Sequence, residues 1–212
     1  MLTDLQITDL AEKMNIPLAD VCFKDQLPKK LEVNKVYIIN LQDSITDDGD
    51  ENGGTHLTML EVCQTPDKSF HPFFFDPYGI EPSEIIKNLV MKNFKKHLPY
   101  SKKDIQSLMN NACGFYCLAL AHYVNSFKHR TGYFYDDIDN FLEMFDDLNK
   151  SIDWKKNEYI LKHFFQSEDP NKRRKIDVVS QTHDDYERIV NEDSGRGIDL
   201  TKIPVNINYI NK

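Results

Sequence analysis

Cys113 stands where a polar run, Asn110-Asn111-Ala112, gives way to the apolar stretch Gly114-Phe115-Tyr116-Cys117-Leu118-Ala119-Leu120-Ala121-His122-Tyr123-Val124. A thiol in the first turn of a helix lies near the positive end of the helix dipole, which favours thiolate over thiol. Gly114, directly after it, is expected to let another stretch of backbone come close to the sulfur. A thiolate nucleophile needs a base, an orienter for that base, and donors for the oxyanion that forms when it attacks a carbonyl. Three residues stand where they could supply these. His56 opens an apolar run behind Gly53-Gly54-Thr55, Asp76 closes the next apolar run before Pro77-Tyr78-Gly79, and Gln106 lies in the polar approach to Cys113. In this reading His56 is the base and Asp76 fixes its tautomer and ring angle. The Gln106 amide and the backbone N–H of Cys113 form the oxyanion hole, so the logic is that of a catalytic triad in the chain order His, Asp, Gln, Cys. His71, His97 and His122 lack glycine flanks or strand-end placement and read as structural, and Cys117, one turn deeper, reads as core.

The elements that must carry these residues follow from periodicity. Residues 2–16 repeat apolar positions at helical spacing, and Pro17 ends that segment. Val21-Cys22-Phe23 and a loop over Lys24–Lys30 lead to Lys35–Leu41, a β-branched and aromatic run that predicts a strand. His56–Cys63 and Phe70–Phe75 predict a hairpin that turns at Thr65–Lys68. Ser83 is placed to cap a helix over Glu84–His97, with Ile85, Leu89, Val90 and Phe94 as its apolar face. Two more helices are expected, over 132–149 and over Trp154–Phe165. Composition shifts at Ser167, where charge rises and aromatics thin out. The chain therefore divides into a domain over 1–166 and a polar extension over 167–212 that is loosely ordered or partner-dependent. The cluster Lys172-Arg173-Arg174-Lys175 in that extension reads as a nuclear address, a phosphate-binding arm or an ordinary charged turn.

Composition narrows the classes of function. The chain has 212 residues, 40% hydrophobic and 28% charged, with a formal net charge of −8, enough for one good-sized core. The acidic balance argues against coating nucleic acid through bulk charge. No apolar run approaches the ~20 residues that span a bilayer. A basic amino-terminal region followed by an apolar stretch is also missing, so a reducing compartment is expected. Cys22, Cys63, Cys113 and Cys117 have no spacing that frames disulfides, and no C-x-x-C pair begins a zinc site. The acidic loop Asp43–Gly54 does not meet the fixed offsets of a calcium-binding loop. From Ile85 to Lys103 there are no acidic residues, and Lys87, Lys92, Lys95, Lys96, Lys102 and Lys103 form a stripe. That stripe is a solvated helix face or a contact for an anionic partner.

Taken in order, Gly53-Gly54-Thr55-His56, Phe73-Phe74-Phe75-Asp76-Pro77-Tyr78-Gly79, Ile105-Gln106-Ser107 and Ala112-Cys113-Gly114-Phe115-Tyr116-Cys117 resemble the adenain-like viral cysteine proteases. More distantly they resemble the proteases that process SUMO and other ubiquitin-like proteins. The resemblance implies an α+β, papain-like/adenain-like fold with a mixed central β-sheet flanked by helices and the nucleophile at a helix N-terminus. It implies that His56, Asp76, Gln106 and Cys113 take the roles given above. It also implies a monomer that cleaves viral capsid precursor proteins after small residues such as glycine during virion maturation, in the virion and in the virus factory of the host cytoplasm or nucleus. Neither a cofactor nor a metal is required, although activation by DNA or by a peptide has precedent in the family; in this chain the lysine stripe is the expected contact for DNA. The alternatives are an isopeptidase for SUMO or another ubiquitin-like protein, and a non-catalytic capsid-associated protein. Two departures stand out: Leu57 follows the histidine where the family commonly has tryptophan, and the acid is aspartate where adenain has glutamate.

Overall fold

The computed structural model describes residues 2–50, 53–108, 111–127, 134–150 and 154–165, and the extension expected at 167–212 lies outside them. Among the described residues the chain is α+β. Strands β1 (Leu18–Phe23), β2 (Val36–Asn40), β3 (Leu57–Gln64) and β4 (Phe70–Phe75) form one sheet in the order β1-β2-β3-β4. β1 runs parallel to β2, and the other neighbours are antiparallel, so the sheet is mixed. The helices are α1 (Asp4–Lys13), α2 (Glu84–Phe94), α3 (Cys113–Phe127), α4 (Phe134–Glu143) and α5 (Trp154–Phe165).

Side chains of a strand alternate between its two faces, and the two cores follow that alternation. Val36, Ile38, Met59, Phe73 and Phe75 face a large core built with α1, α3, α4 and α5. Tyr37, Ile39, Leu60 and Phe74 face a smaller one with Ile86 and Val90 of α2. The sheet is thus covered by helices on both faces, and β2 and β3 are buried along nearly their whole length. α3 is apolar on every side because it lies in the middle of the larger core. Tyr116 and Cys117 to Ala121 are all fully buried.

The hairpin forms as expected, with Gln64 opposite Phe70 and the turn closed by Lys68 N–H on the Thr65 carbonyl at 2.8 Å. Several expectations need correction. Residues 18–23 pair with β2 as a strand, where the sequence suggests only a lead-in; their register slips between Leu18 and Asp20, which breaks the local alternation. α2 stops at Phe94, not His97, because Lys95 adopts a left-handed conformation at its end. Its buried face holds Ile86 and Val90, while Ile85 is 52% exposed. Ser83 occupies the cap position, but its side chain makes no capping bond. The helix expected over 132–149 ends at Glu143, after which the chain continues as turns; residues 132–133 lie outside the described residues.

The turn after β4 is fixed by its glycine. Gly79 donates its N–H to the Asp76 carbonyl at 2.9 Å and has φ +70, a conformation that favours glycine. It also lies hard against the backbone of Lys102, where a Cβ would meet the carbonyl oxygen at 2.6 Å. Gly79→Ala is expected to lower stability by roughly 1–3 kcal/mol, read as a lower urea midpoint. An unchanged midpoint would contradict this account of the turn.

Candidate active site

His56 immediately precedes β3. Gly54 reaches φ +70 just before it and passes so close to the Asn40 side chain that an added Cβ would lie 1.7 Å from Asn40 Nδ2. That accounts for the glycine at 54, whereas a side chain at Gly53 would meet nothing. Asp76 follows β4 and is fully buried. A buried carboxylate needs partners, and its Oδ1 has two: Nε2 of His56 at 2.9 Å and the backbone N–H of Tyr78 at 2.8 Å. The carboxylate can only accept, so His56 Nε2 carries the proton and Nδ1 is the ring nitrogen left for another partner. Cys113, the first residue of α3, lies beside the same imidazole and acts on its proton affinity.

Burial of the ring is the largest influence on its proton affinity and acts to lower it. Hydrogen bonds to Asp76 and then Cys113, followed by the charges of the same two groups, outweigh burial and push the His56 pKa up to about 9 from an ordinary 6.5. The imidazolium is thereby favoured, flanked by a carboxylate and a sulfur. Cys113 is only 1% exposed, and Asp76 and Gln106 are buried as well; of the four, His56 alone keeps appreciable contact with solvent.

Two contacts bring the base and the sulfur together. Gly114 does not admit another backbone, as the sequence suggests, but side chains: a Cβ there would meet Leu57 Cδ1 at 3.0 Å and Leu2 Cδ1 at 3.2 Å. One turn further on, the Cys117 thiol donates to the carbonyl oxygen of Leu57 at 3.5 Å. Leu57 thus holds the head of α3 against the start of β3, one residue from the imidazole. Burial pushes the Cys117 thiol well up, with the Cys113 and Asp76 charges adding to the effect, as befits a core cysteine. Burial alone pushes His122 down to about 4, which keeps that ring neutral.

Gln106 arrives through the turn at Asp76–Gly79. The Pro77 carbonyl accepts the N–H groups of Ile105 at 2.8 Å and Gln106 at 3.2 Å. From the other side, Asn157 of α5 donates its side-chain N–H to the Ile105 carbonyl at 3.1 Å, and Leu148 donates its N–H to the Asp104 carbonyl at 2.7 Å. The Gln106 amide itself donates from Nε2 to the Tyr78 hydroxyl at 3.1 Å. The structure therefore puts His56 in contact with Asp76, with Cys113 beside the ring, and joins Gln106 to the imidazole through Tyr78.

Tyr78 and Asn157 are site residues that sequence reasoning does not assign. The Tyr78 ring stacks on the His56 imidazole, with centroids 4.7 Å apart and planes 25° from parallel. Leu57 stands where the resembled family commonly has tryptophan after the histidine, and the aromatic over this imidazole comes from the end of β4. The Asp-Pro-Tyr-Gly motif carries a signal for Tyr78, because it places an aromatic two residues beyond the acid. Asn157 carries none. Among the described residues no group of three or more His, Cys, Asp or Glu could hold a metal ion, and no helix is long and apolar enough to cross a membrane.

The raised His56 pKa has a sign that can be tested. A group that binds its proton more tightly when folded contributes stability that is complete below about pH 6.5 and lost as pH rises through about 9. Asp76→Asn removes the charge that favours the imidazolium. The His56 ring, followed by proton NMR, is expected to titrate well below about 9 in that variant, and its extra stability at neutral pH should shrink with it. A titration identical to wild type would contradict the role of Asp76.

No protein-family model matches the chain, and no curated protein does. Among solved structures it is similar to the crystal structure of the ASFV pS273R protease, at 12% sequence identity and a TM-score of 0.42. The similarity covers 74% of this chain and 66% of that one, just under two thirds of its length.

Proposed function

We propose that the chain is a cysteine endopeptidase in which Cys113 is the nucleophile. The observation that carries this reading is a single imidazole bonded through Nε2 to a buried carboxylate and lying beside the cysteine at the head of an apolar helix. In the reaction the Cys113 thiolate attacks a peptide carbonyl carbon, and the oxyanion is met by the Gln106 amide and the backbone N–H of Cys113. The imidazolium of His56 then protonates the leaving amine as the C–N bond breaks, which leaves a thioester. Water, giving a proton to His56, hydrolyses the thioester and releases the acid and the free thiolate. Asp76 keeps Nε2–H pointed away from the sulfur, so that Nδ1 handles the proton throughout.

The substrate class rests on the resemblance of the ordered motifs: viral capsid precursors cut after small residues such as glycine, in the virion and the virus factory. DNA as an activator rests on the lysine stripe in a reduced form. Lys87 pairs with Glu81 at 2.6 Å and Glu84 at 2.9 Å, and Lys103 donates to the Leu142 carbonyl at 2.7 Å. The exposed Lys92, Lys95, Lys96 and Lys102 are left to meet a polyanion.

The test is incubation with a panel of short peptides holding internal Gly-Gly and Gly-Ala sites, and separately with a ubiquitin-like protein bearing a C-terminal tail, followed by mass analysis. Cleavage of short peptides by wild type and not by Cys113→Ala is expected. Cleavage of the folded partner alone would favour the isopeptidase reading, and cleavage of neither would favour a binding protein. Gln106→Ala is expected to lower kcat by about 10²–10³ through loss of one oxyanion donor. A value near wild type would remove Gln106 from the hole.

A further inference from the structure

The side chain of Tyr78 touches both halves of the proposed machinery. Its ring lies over the His56 imidazole, and its hydroxyl accepts a hydrogen bond from Gln106 Nε2. The tyrosine is itself fixed at the backbone: its N–H is held by Asp76 Oδ1, and the next residue, Gly79, is wedged against Lys102. The hydroxyl therefore occupies a set position. A glutamine amide carries two N–H bonds at a fixed angle in one plane. Holding one of them on a fixed oxygen sets the direction of the other, and removes rotor freedom that an untethered glutamine would have to lose in the transition state.

We infer that Tyr78 is a positioning residue whose hydroxyl orients the Gln106 amide as an oxyanion donor, which couples the donor to the base through one side chain. This rests on the cysteine-protease reading above. Burial, followed by the charges of Cys113 and Asp76, raises the phenol's pKa above its ordinary value, so the hydroxyl stays protonated over the working range.

The experiment is a double-mutant cycle on Tyr78→Phe and Gln106→Ala, with a Gly-Gly aminomethylcoumarin peptide as substrate and iodoacetamide as a second probe of Cys113. Tyr78→Phe keeps the stacked ring and loses only the hydroxyl. A fall in kcat of roughly 3- to 10-fold is expected, the worth of one neutral hydrogen bond, with KM unchanged. In the Gln106→Ala background the same change should cost nothing more, because the group it orients is gone. Alkylation of Cys113, which forms no oxyanion, should proceed at the wild-type rate in Tyr78→Phe. Unchanged kcat, an equal loss in both backgrounds, or slowed alkylation would each overturn the assignment while leaving an active wild-type protease in place. A wild type that fails to release aminomethylcoumarin would instead overturn the protease reading, and the role of Tyr78 with it.

Discussion

The site depends on the close approach of a strand and a helix at one pair of residues. Leu57 begins β3 and Gly114 is the second residue of α3; with any side chain at Gly114, the leucine would have to withdraw. The approach is held on both sides of the leucine's backbone, because its carbonyl takes the Cys117 thiol while its side chain fills the space over Gly114. His56 and Cys113 are the residues immediately before these two, so the packing that seats one pair brings the other into contact. Interiors packed at crystal density transmit such placement faithfully. Leu57 stands where the resembled family commonly has tryptophan. The smaller leucine goes together with an aromatic cover taken from Tyr78 instead.

The turn Asp76–Gly79 is the second organising feature. Its four residues each hold something different: Asp76 the imidazole, Pro77 the backbone of Ile105 and Gln106, Tyr78 the face of the imidazole and the glutamine amide, and Gly79 the approach of Lys102. With the orienter on this turn and both the base and the amide tied to it, the three stay in register when the rest of the surface moves. α5 completes the arrangement from the far side, since the fully buried Asn157 donates to both the Ile105 and Asp146 carbonyls and accepts the Asp146 N–H. Loops that carry polar groups into a core must satisfy their backbone in this way.

Much of this is legible in the residue order. Strand ends, glycine flanks and the break from a polar to an apolar run are local signals, and they single out His56, Asp76, Gln106 and Cys113, whose meeting in space follows from the hairpin and the buried helix. The hairpin register and the core of α3 are legible for the same reason. What escapes is non-local. β1 gains its identity from a parallel neighbour, and a slip at Ala19 hides its alternation. Ile86 and not Ile85 is the buried residue of α2, and the sequence cannot choose between them, since either could start an apolar stripe. Ser83 looks like a cap because serine often is one, yet its hydroxyl bonds nothing at the helix end. Asn157 looks like any helix asparagine, and its task is visible only once the loop it holds is in place.

That His56 and Cys113 form one proton-sharing pair is tested most directly by the rate of carbamidomethylation of each cysteine at neutral pH, in wild type and in His56→Ala, resolved by peptide mass mapping. Burial, aided by nearby aspartates, pushes the Cys22 thiol up to about 12, and Cys117 is raised as well, so both should stay largely unreactive. Cys113 is expected to be modified far ahead of them in wild type and to lose that lead in His56→Ala. A Cys113 that reacts no faster than Cys22, or that reacts equally fast without the imidazole, would contradict the pairing.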